Sequence, residues 1–318
     1  MPDNQLRILH SLLATYFPNS STINILRNAR STTQNFFITV ENKNYVLKIY
    51  SGDKSEFNAK TKQDLLSQLA FMDYIRLSGT PCPKVVKNRS GDPITEYGYS
   101  NKNYVILFEY IEGIIEGYYN RERVVEVAKA LLNIRKASLN YLIPSNRKDT
   151  KNVVKLYSSF YKAQNNQEFE TESKSLLDYL FQTTEFQAKS GSMLHLEKGY
   201  IHNNLRLDNL LFENNVLAGL LDFDEYKFAI YIEEIVNTLI FDLENSAKNI
   251  IRAGFYNDFI EVLKTDETLI HKNEFELIPV YLKARFLYEM TIYGMNNLYT
   301  EVNHILSDKN IRKVLDLA

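Results

Sequence analysis

The stretch Gly199-Tyr200-Ile201-His202-Asn203-Asn204-Leu205-Arg206-Leu207-Asp208-Asn209-Leu210-Leu211-Phe212, followed by Leu220-Leu221-Asp222-Phe223-Asp224, decides the reading of this chain. Leu210 to Glu213 and Val216 to Leu221 are short apolar runs around Glu213-Asn214-Asn215, which predicts a β-hairpin directly after His202. Helical apolar spacing surrounds this β island, at about 120–139, 168–183, 230–246, 250–263 and 274–298. Upstream of Gly113 the character is different. Residues 5–16 predict a leading helix that stops near Pro18, and Thr22 to Leu26, Asn35 to Val40 and Tyr45 to Tyr50 predict strands. The last two are joined by a turn at Asn42-Lys43-Asn44. From Asn58 to Ser78 the period becomes 3.6, with Leu65, Leu69, Met72 and Ile75 on one face and Gly79 as terminator. Extended segments follow at Lys84 to Val86, Ile94 to Tyr97 and Tyr104 to Tyr110, the last continuous enough to be buried on both faces.

At 318 residues the chain is long enough for two lobes, and the boundary falls near 110: residues 1–110 form a small α+β lobe and 111–318 a mostly helical one. The 37 Lys and Arg against 39 Asp and Glu leave a net charge of −2, which argues against the basic footprint of a nucleic-acid binder or polybasic membrane anchor. No window reaches the roughly 20 uncharged apolar residues of a membrane span. The single cysteine, Cys82, cannot close an intrachain disulfide, which suits a reducing compartment. These features fit a soluble cytoplasmic protein.

Phosphoryl transfer from ATP needs a group that orients the acceptor hydroxyl, oxygens that hold Mg²⁺ on the β- and γ-phosphates, and a cation near the transferred group. The two opening segments offer that set. They resemble the aminoglycoside phosphotransferase and choline kinase family, relatives of the protein kinases, whose signature is His-x-Asp, four residues, Asn, and then a hairpin ending in Asp. His202, Asn209 and Asp222 match in identity and spacing. The resemblance implies an α+β, bilobal protein-kinase-like fold and an ATP- and Mg²⁺-dependent phosphotransferase acting on a small-molecule hydroxyl. It implies that Asp222 ligates Mg²⁺, that Asn209 holds a metal or the loop, and that His202 buttresses the loop. Arg206 is the candidate cation for the γ-phosphate. A protein kinase is disfavoured, because about ten residues between Asp222 and the next helix leave no room for an activation loop.

One position departs from the pattern. Asn204 stands where the family has its base, and a carboxamide cannot take a proton. Three explanations stay open: a natural member with an unusual or slow mechanism, a nucleotide-binding pseudokinase with a regulatory role, or an Asp-to-Asn substitution in an active kinase. Asp208 could substitute as base, but its place beside Asn209 points it elsewhere.

On the nucleotide side, Lys48 lies on a strand with apolar neighbours, the context in which kinases hold the lysine that pairs with the α- and β-phosphates. Its acidic partner on the following helix aligns with Gln68, with Asp64 one turn earlier as a substitute. The phosphate loop falls at Asn28–Asn35, where Ser31, Thr32 and Thr33 replace the usual glycines. Phe108 to Gly113 matches the hinge, which implies adenine hydrogen bonds to the backbone of Glu109 and Ile111. Asp224, Glu225 and Glu234 follow the metal aspartate and suit a cationic acceptor. Cys82 reads as a packed thiol, and the five histidines show no metal-ligand spacing.

Overall fold

The computed structural model describes residues 3–20, 22–28, 34–53, 59–98, 102–141, 196–241, 246–282, 285 and 307–314. The chain divides into two compact units, Met1–Leu77 with Pro81–Glu112, and Ser78–Thr80 with Gly113–Ala318. Among the described residues no helix is long and apolar enough to cross a membrane.

The first unit is an antiparallel sheet with two helices. Its strands are β1 (Ile23–Asn28), β2 (Gln34–Val40), β3 (Lys43–Ser51), β4 (Val85–Val86), β5 (Thr95–Tyr97) and β6 (Asn103–Glu109), in the order β1-β2-β3-β6-β4 with β5 also paired to β6. Helix α1 (Asp3–Ala14) buries Leu9, Leu12 and Leu13 against Phe36, Ile38, Leu47, Ile49, Val105 and Leu107. The β2–β3 turn falls one residue earlier than expected, at Glu41 and Asn42, both in the left-handed region (φ 48° and 67°). Two consecutive residues of that kind form the turn whose twist matches a hairpin. Helix α2 spans Lys62–Leu77 and therefore begins later than the expected Asn58. A reciprocal cap sets that start: the Thr61 backbone N–H and hydroxyl donate to Asp64 Oδ2 at 3.2 and 2.7 Å, and the Asp64 N–H donates to Thr61 Oγ1 at 3.1 Å.

In the second unit α3 (Arg121–Leu139) is the central helix, capped at its start by Asn120, whose side chain accepts the Arg123 N–H at 2.9 Å. It packs on β8 (Lys198–Ile201), β10 (Val216–Leu220) and α5 (Tyr256–Leu263). The expected hairpin is present as β9 (Leu210–Glu213) and β10, turning through Asn214 and Asn215 at φ 50° and 66°. The hairpin is not the lone β structure expected there. β7 (Ile114–Ile115) joins β9, and β8 pairs with β11 (Lys227–Ile230). Strands this short carry too little alternation to be read from a pattern. Gly199 lets β8 come close: a Cβ there would lie 2.7 Å from Ser138 Oγ on α3 and closer still to the Tyr231 hydroxyl.

Helix α4 is Tyr231–Ile240, with every residue buried, and it is followed by Phe241 in an extended conformation. The helix expected over 250–263 begins only at Tyr256, because Gly254 at φ 86° breaks the preceding turn. Residues 272–282 are helical (α6), and α7 is Lys309–Val314. Ser31, Thr32 and Thr33 and the helix expected over 168–183 lie outside the described residues, as does the end of the one expected over 274–298.

Candidate active site

The loop from His202 to Asn209 is held by a closed set of hydrogen bonds. His202, 0% exposed, places Nε2 at 2.9 Å from the Leu221 carbonyl and accepts the Asn204 N–H on Nδ1 at 3.1 Å. One nitrogen donating and one accepting is the neutral imidazole. Burial lowers its pKa to about 4, against the pull of Asp222 and the Leu221 carbonyl. The ring also meets Phe223 edge-on at 4.4 Å between centroids.

The Asn204 carbonyl accepts from the Arg206 N–H at 2.9 Å and from Asn209 Nδ2 at 3.0 Å. That second bond directs the Asn209 amide nitrogen into the loop and leaves Oδ1 as the atom able to ligate a cation. The Leu221 N–H donates to the Asn209 carbonyl at 2.8 Å, which ties the loop to the residue before Asp222. Asp222 itself is left-handed at φ 59°, a conformation of the kind that persists where the surroundings over-determine it. The Asn204 side-chain amide donates to Asp222 Oδ2 at 3.4 Å.

Beneath the loop lies a second layer that sequence reasoning did not find. The Asn203 N–H, at φ 63°, donates to both carboxylate oxygens of Glu234 at 3.0 Å, and Asn237 Nδ2 donates to Asn203 Oδ1 at 2.8 Å. Glu234 is 2% exposed, and burial raises its pKa to about 7 while the backbone of Asn203 and His202 opposes the rise. Its expected role as an acceptor-facing acid is therefore corrected: the carboxylate is spent on the loop backbone. The i, i+3 pairing of Glu234 with Asn237 on one helix was the available signal. Asp224 is half-buried and Glu225 exposed in the short turn Phe223–Glu225.

Arg206 donates to Asp208 Oδ2 at 3.0 Å, and Lys248 meets Asp208 Oδ1 at 2.9 Å. Asp208 is thus bracketed by two cations, which suits neither a base nor a metal ligand. Asn209 and Asp222 supply hard oxygens, and among the described residues no cluster of three His, Cys, Asp or Glu could hold an ion. Two such oxygens completed by phosphates and water is the donor set Mg²⁺ prefers.

In the first unit Lys48 is 8% exposed on β3. Strand register puts Asn35, Lys48 and Ile106 in one row, and Leu26, Phe37, Val46 and Phe108 in the next row of the same face. Leu26 and Phe37 remain 70% and 41% exposed, so an apolar platform flanks the lysine. Gln68 does accept a lysine, but the lysine is Lys60, whose Nζ lies 2.8 Å from its Oε1. Asp64 does not substitute, because it caps α2. At the expected hinge the Glu109 N–H is spent on the Lys84 carbonyl at 2.8 Å, and its side chain pairs with Lys84 at 2.8 Å. Ile111 follows in irregular backbone beyond β6. Burial pushes the Cys82 thiol up to about 12, so it is no nucleophile.

The sequence pattern of the phosphotransferase enzyme family (APH) matches residues 25–266. A homoserine kinase of Beijerinckia indica is 25% identical over 203 residues, which span 62% of this chain and 59% of that protein. The alignment thus covers less than two thirds of that relative's length. The structure of a microcompartment-associated aminopropanol kinase superposes with a TM-score of 0.64 at 16% identity, over 98% of this chain and 94% of that one. Amicoumacin kinase in complex with AMP-PNP and Ca²⁺ gives a TM-score of 0.61 at 14% identity, over 98% and 93%. The α+β, protein-kinase-like fold expected from the sequence is the one these structures share with the chain.

Proposed function

Because the chain belongs to the phosphotransferase enzyme family, we propose that it moves the γ-phosphate of ATP to the hydroxyl of a small, amine-bearing molecule. The observation that carries this reading is the tie between the His202–Asn209 loop and Asp222, made through Leu221 and Asn204. Lys48 would meet the nucleotide phosphates, and the row Leu26, Phe37, Val46 and Phe108 would receive the adenine, with backbone at Glu109 and Ile111 fixing its edge. Asn209 Oδ1 and the Asp222 carboxylate would hold Mg²⁺, which neutralises charge on the β- and γ-phosphates when bound. Arg206 would exchange Asp208 for the transferred group. His202 stays neutral and carries no proton in the reaction.

The acceptor oxygen forms its bond to phosphorus as the β–γ bridging bond breaks, and ADP leaves with that electron pair. The hydroxyl proton passes to water, since Asn204 cannot hold it. The amide still offers a hydrogen bond that orients the hydroxyl, and alignment with electrostatics supplies most of the catalysis in phosphoryl transfer. Asp224 and Glu225 support an amine-bearing acceptor, and the kinases named for homoserine, a hydroxy amino acid, and for aminopropanol, an amino alcohol, support a hydroxyl acceptor that also carries an amine. The composition supports a cytoplasmic location.

Asn204 favours a second reading, a nucleotide-binding pseudokinase with a regulatory role. ATP consumption measured with homoserine, aminopropanol and aminoglycosides separates the two. Turnover that disappears in Asp222→Ala supports the enzyme, and ATP binding without turnover on any acceptor supports the regulatory protein.

A further inference from the structure

We infer that Lys248 is a positioning residue of this site: it holds Asp208 while Arg206 leaves that carboxylate for the transferred phosphoryl group. The inference rests on the reading above that Arg206 serves the γ-phosphate. All three side chains belong to the second unit. The carboxylate oxygens of Asp208 are divided between the two cations, Oδ2 accepting from Arg206 at 3.0 Å and Oδ1 meeting Lys248 Nζ at 2.9 Å. Both neighbours of Lys248 in the chain are anchored. The Tyr119 N–H, just before α3, donates to the Ala247 carbonyl at 2.9 Å, and Asn249, 0% exposed, donates from Nδ2 to the Phe241 carbonyl at 3.2 Å. The Phe241 ring in turn lies beside Arg206, its centroid 5.8 Å from the guanidinium carbon.

Asp208 competes with phosphate for Arg206, and how firmly it competes depends on how much of its charge is met elsewhere. Lys248 draws on the same carboxylate through the other oxygen, so Arg206 is held more loosely than Asp208 alone would hold it. Asp208 also keeps a counter-charge once Arg206 departs, which limits its repulsion of the incoming phosphates. The two cations suit this division. Arginine presents a planar fork that matches a phosphoryl group, whereas lysine is a compact point charge that serves a single carboxylate oxygen. Solvent sets the size of the effect. The three side chains are 28–38% exposed, the range in which an ion pair contributes modestly, so Lys248 tunes the availability of Arg206 by about two- to fivefold.

Calorimetric titration of ATP and ADP in Mg²⁺ tests this, because ADP lacks the phosphate that Arg206 would meet. The proteins compared are the wild type, Arg206→Met, Lys248→Met, Lys248→Arg, Asp208→Asn and the Lys248→Met, Asp208→Asn double variant. Lys248→Met should lower the ratio of ATP to ADP affinity by about two- to fivefold, with kcat falling alongside and the KM of the acceptor unchanged. Lys248→Arg should restore the ratio. In the Asp208→Asn background the Lys248 substitution should have no effect, since no carboxylate then retains Arg206. A lysine that merely shaped the fold would matter equally in both backgrounds. Lys248→Gln gives the same reading should Lys248→Met fail to fold. Where Arg206→Met lowers the ratio, a Lys248 variant that leaves it unchanged, or lowers it equally in the Asp208→Asn background, overturns the inference while the function stands. A ratio indifferent to Arg206→Met, or absence of ATP binding in the wild type, overturns the role of Arg206 and the inference with it.

Discussion

The Asn204 amide nitrogen lies 3.4 Å from Asp222 Oδ2, so the position that usually carries a base instead donates a hydrogen bond toward the carboxylate expected to hold metal. An aspartate at 204 would set two carboxylates against each other, a contact that Mg²⁺ relieves.

Replacing Asn204 by Asp should raise turnover by roughly 10²- to 10⁴-fold, the contribution of a positioned general base. The gain should vanish in the Asn204→Asp, Asp222→Ala double variant. Equal silence in all variants across an acceptor panel would favour the pseudokinase reading.

The same substitution should lower stability in EDTA by about 1 kcal/mol, the scale of like charges a few ångströms apart in a solvated site. Millimolar Mg²⁺ should restore it. Urea denaturation with and without Mg²⁺ reads the difference, and a variant indifferent to the ion would remove Asp222 as a ligand.

Nucleotide at about 100 times its Kd in Mg²⁺ should stabilise the wild type by about 2.7 kcal/mol. A thermal melt measures this directly. The shift should be lost in Asp222→Ala and reduced in Lys48→Met.

Stability should respond to pH through two opposing groups. Glu234, raised by burial from 4.5 to about 7, binds its proton more tightly in the fold, so the stability it contributes is lost as pH rises through that window. His202, lowered by burial from 6.5 to about 4, binds its proton less tightly, so its contribution is complete above 6.5 and is lost as pH falls. Lys227 and Glu233 modulate Glu234, and Asp222 and Asp224 modulate His202. Glu234→Gln removes one slope and leaves the other. Between pH 4.5 and 6.5 its unfolding free energy should climb more steeply than the wild type's, by up to about 1.4 kcal/mol per pH unit. Parallel curves would show that Glu234 does not titrate there.

Arg135 and Glu274 form a buried bidentate pair at 3.1 and 2.7 Å, linking α3 to α6, with Glu197 at 3.3 Å and the Tyr231 ring 4.2 Å away. Removing Glu274 leaves the buried Arg135 with the longer contact to the half-exposed Glu197, so Glu274→Ala should cost up to about 3 kcal/mol. Replacing both with apolar residues of similar volume should cost much less, and chemical denaturation of the two variants distinguishes them.

Periodicity was sufficient for the larger elements. Phe36, Ile38 and Val40 alternate on β2, and Leu65, Leu69, Met72 and Ile75 recur at helical spacing on α2. It failed where elements are short or set by side-chain caps. β8 and β11 have four residues each, and the start of α2 depends on one Thr61–Asp64 cap.

What the sequence determined by itself is the chemistry that can occur along the loop: His202, Asn209 and Asp222 in their spacing, and an amide at 204 that no environment turns into a base. Identity and spacing are properties of the chain, so they survive without coordinates. Which partner each polar group takes was decided by tertiary structure. Glu234 looked like an acid free for a substrate, Gln68 like the partner of Lys48, and Asp64 like its substitute. Burial and proximity assigned them to the Asn203 backbone, to Lys60 and to the cap of α2. A buried polar group must find a partner within about 3 Å, and which groups come that close depends on packing between residues far apart in the chain.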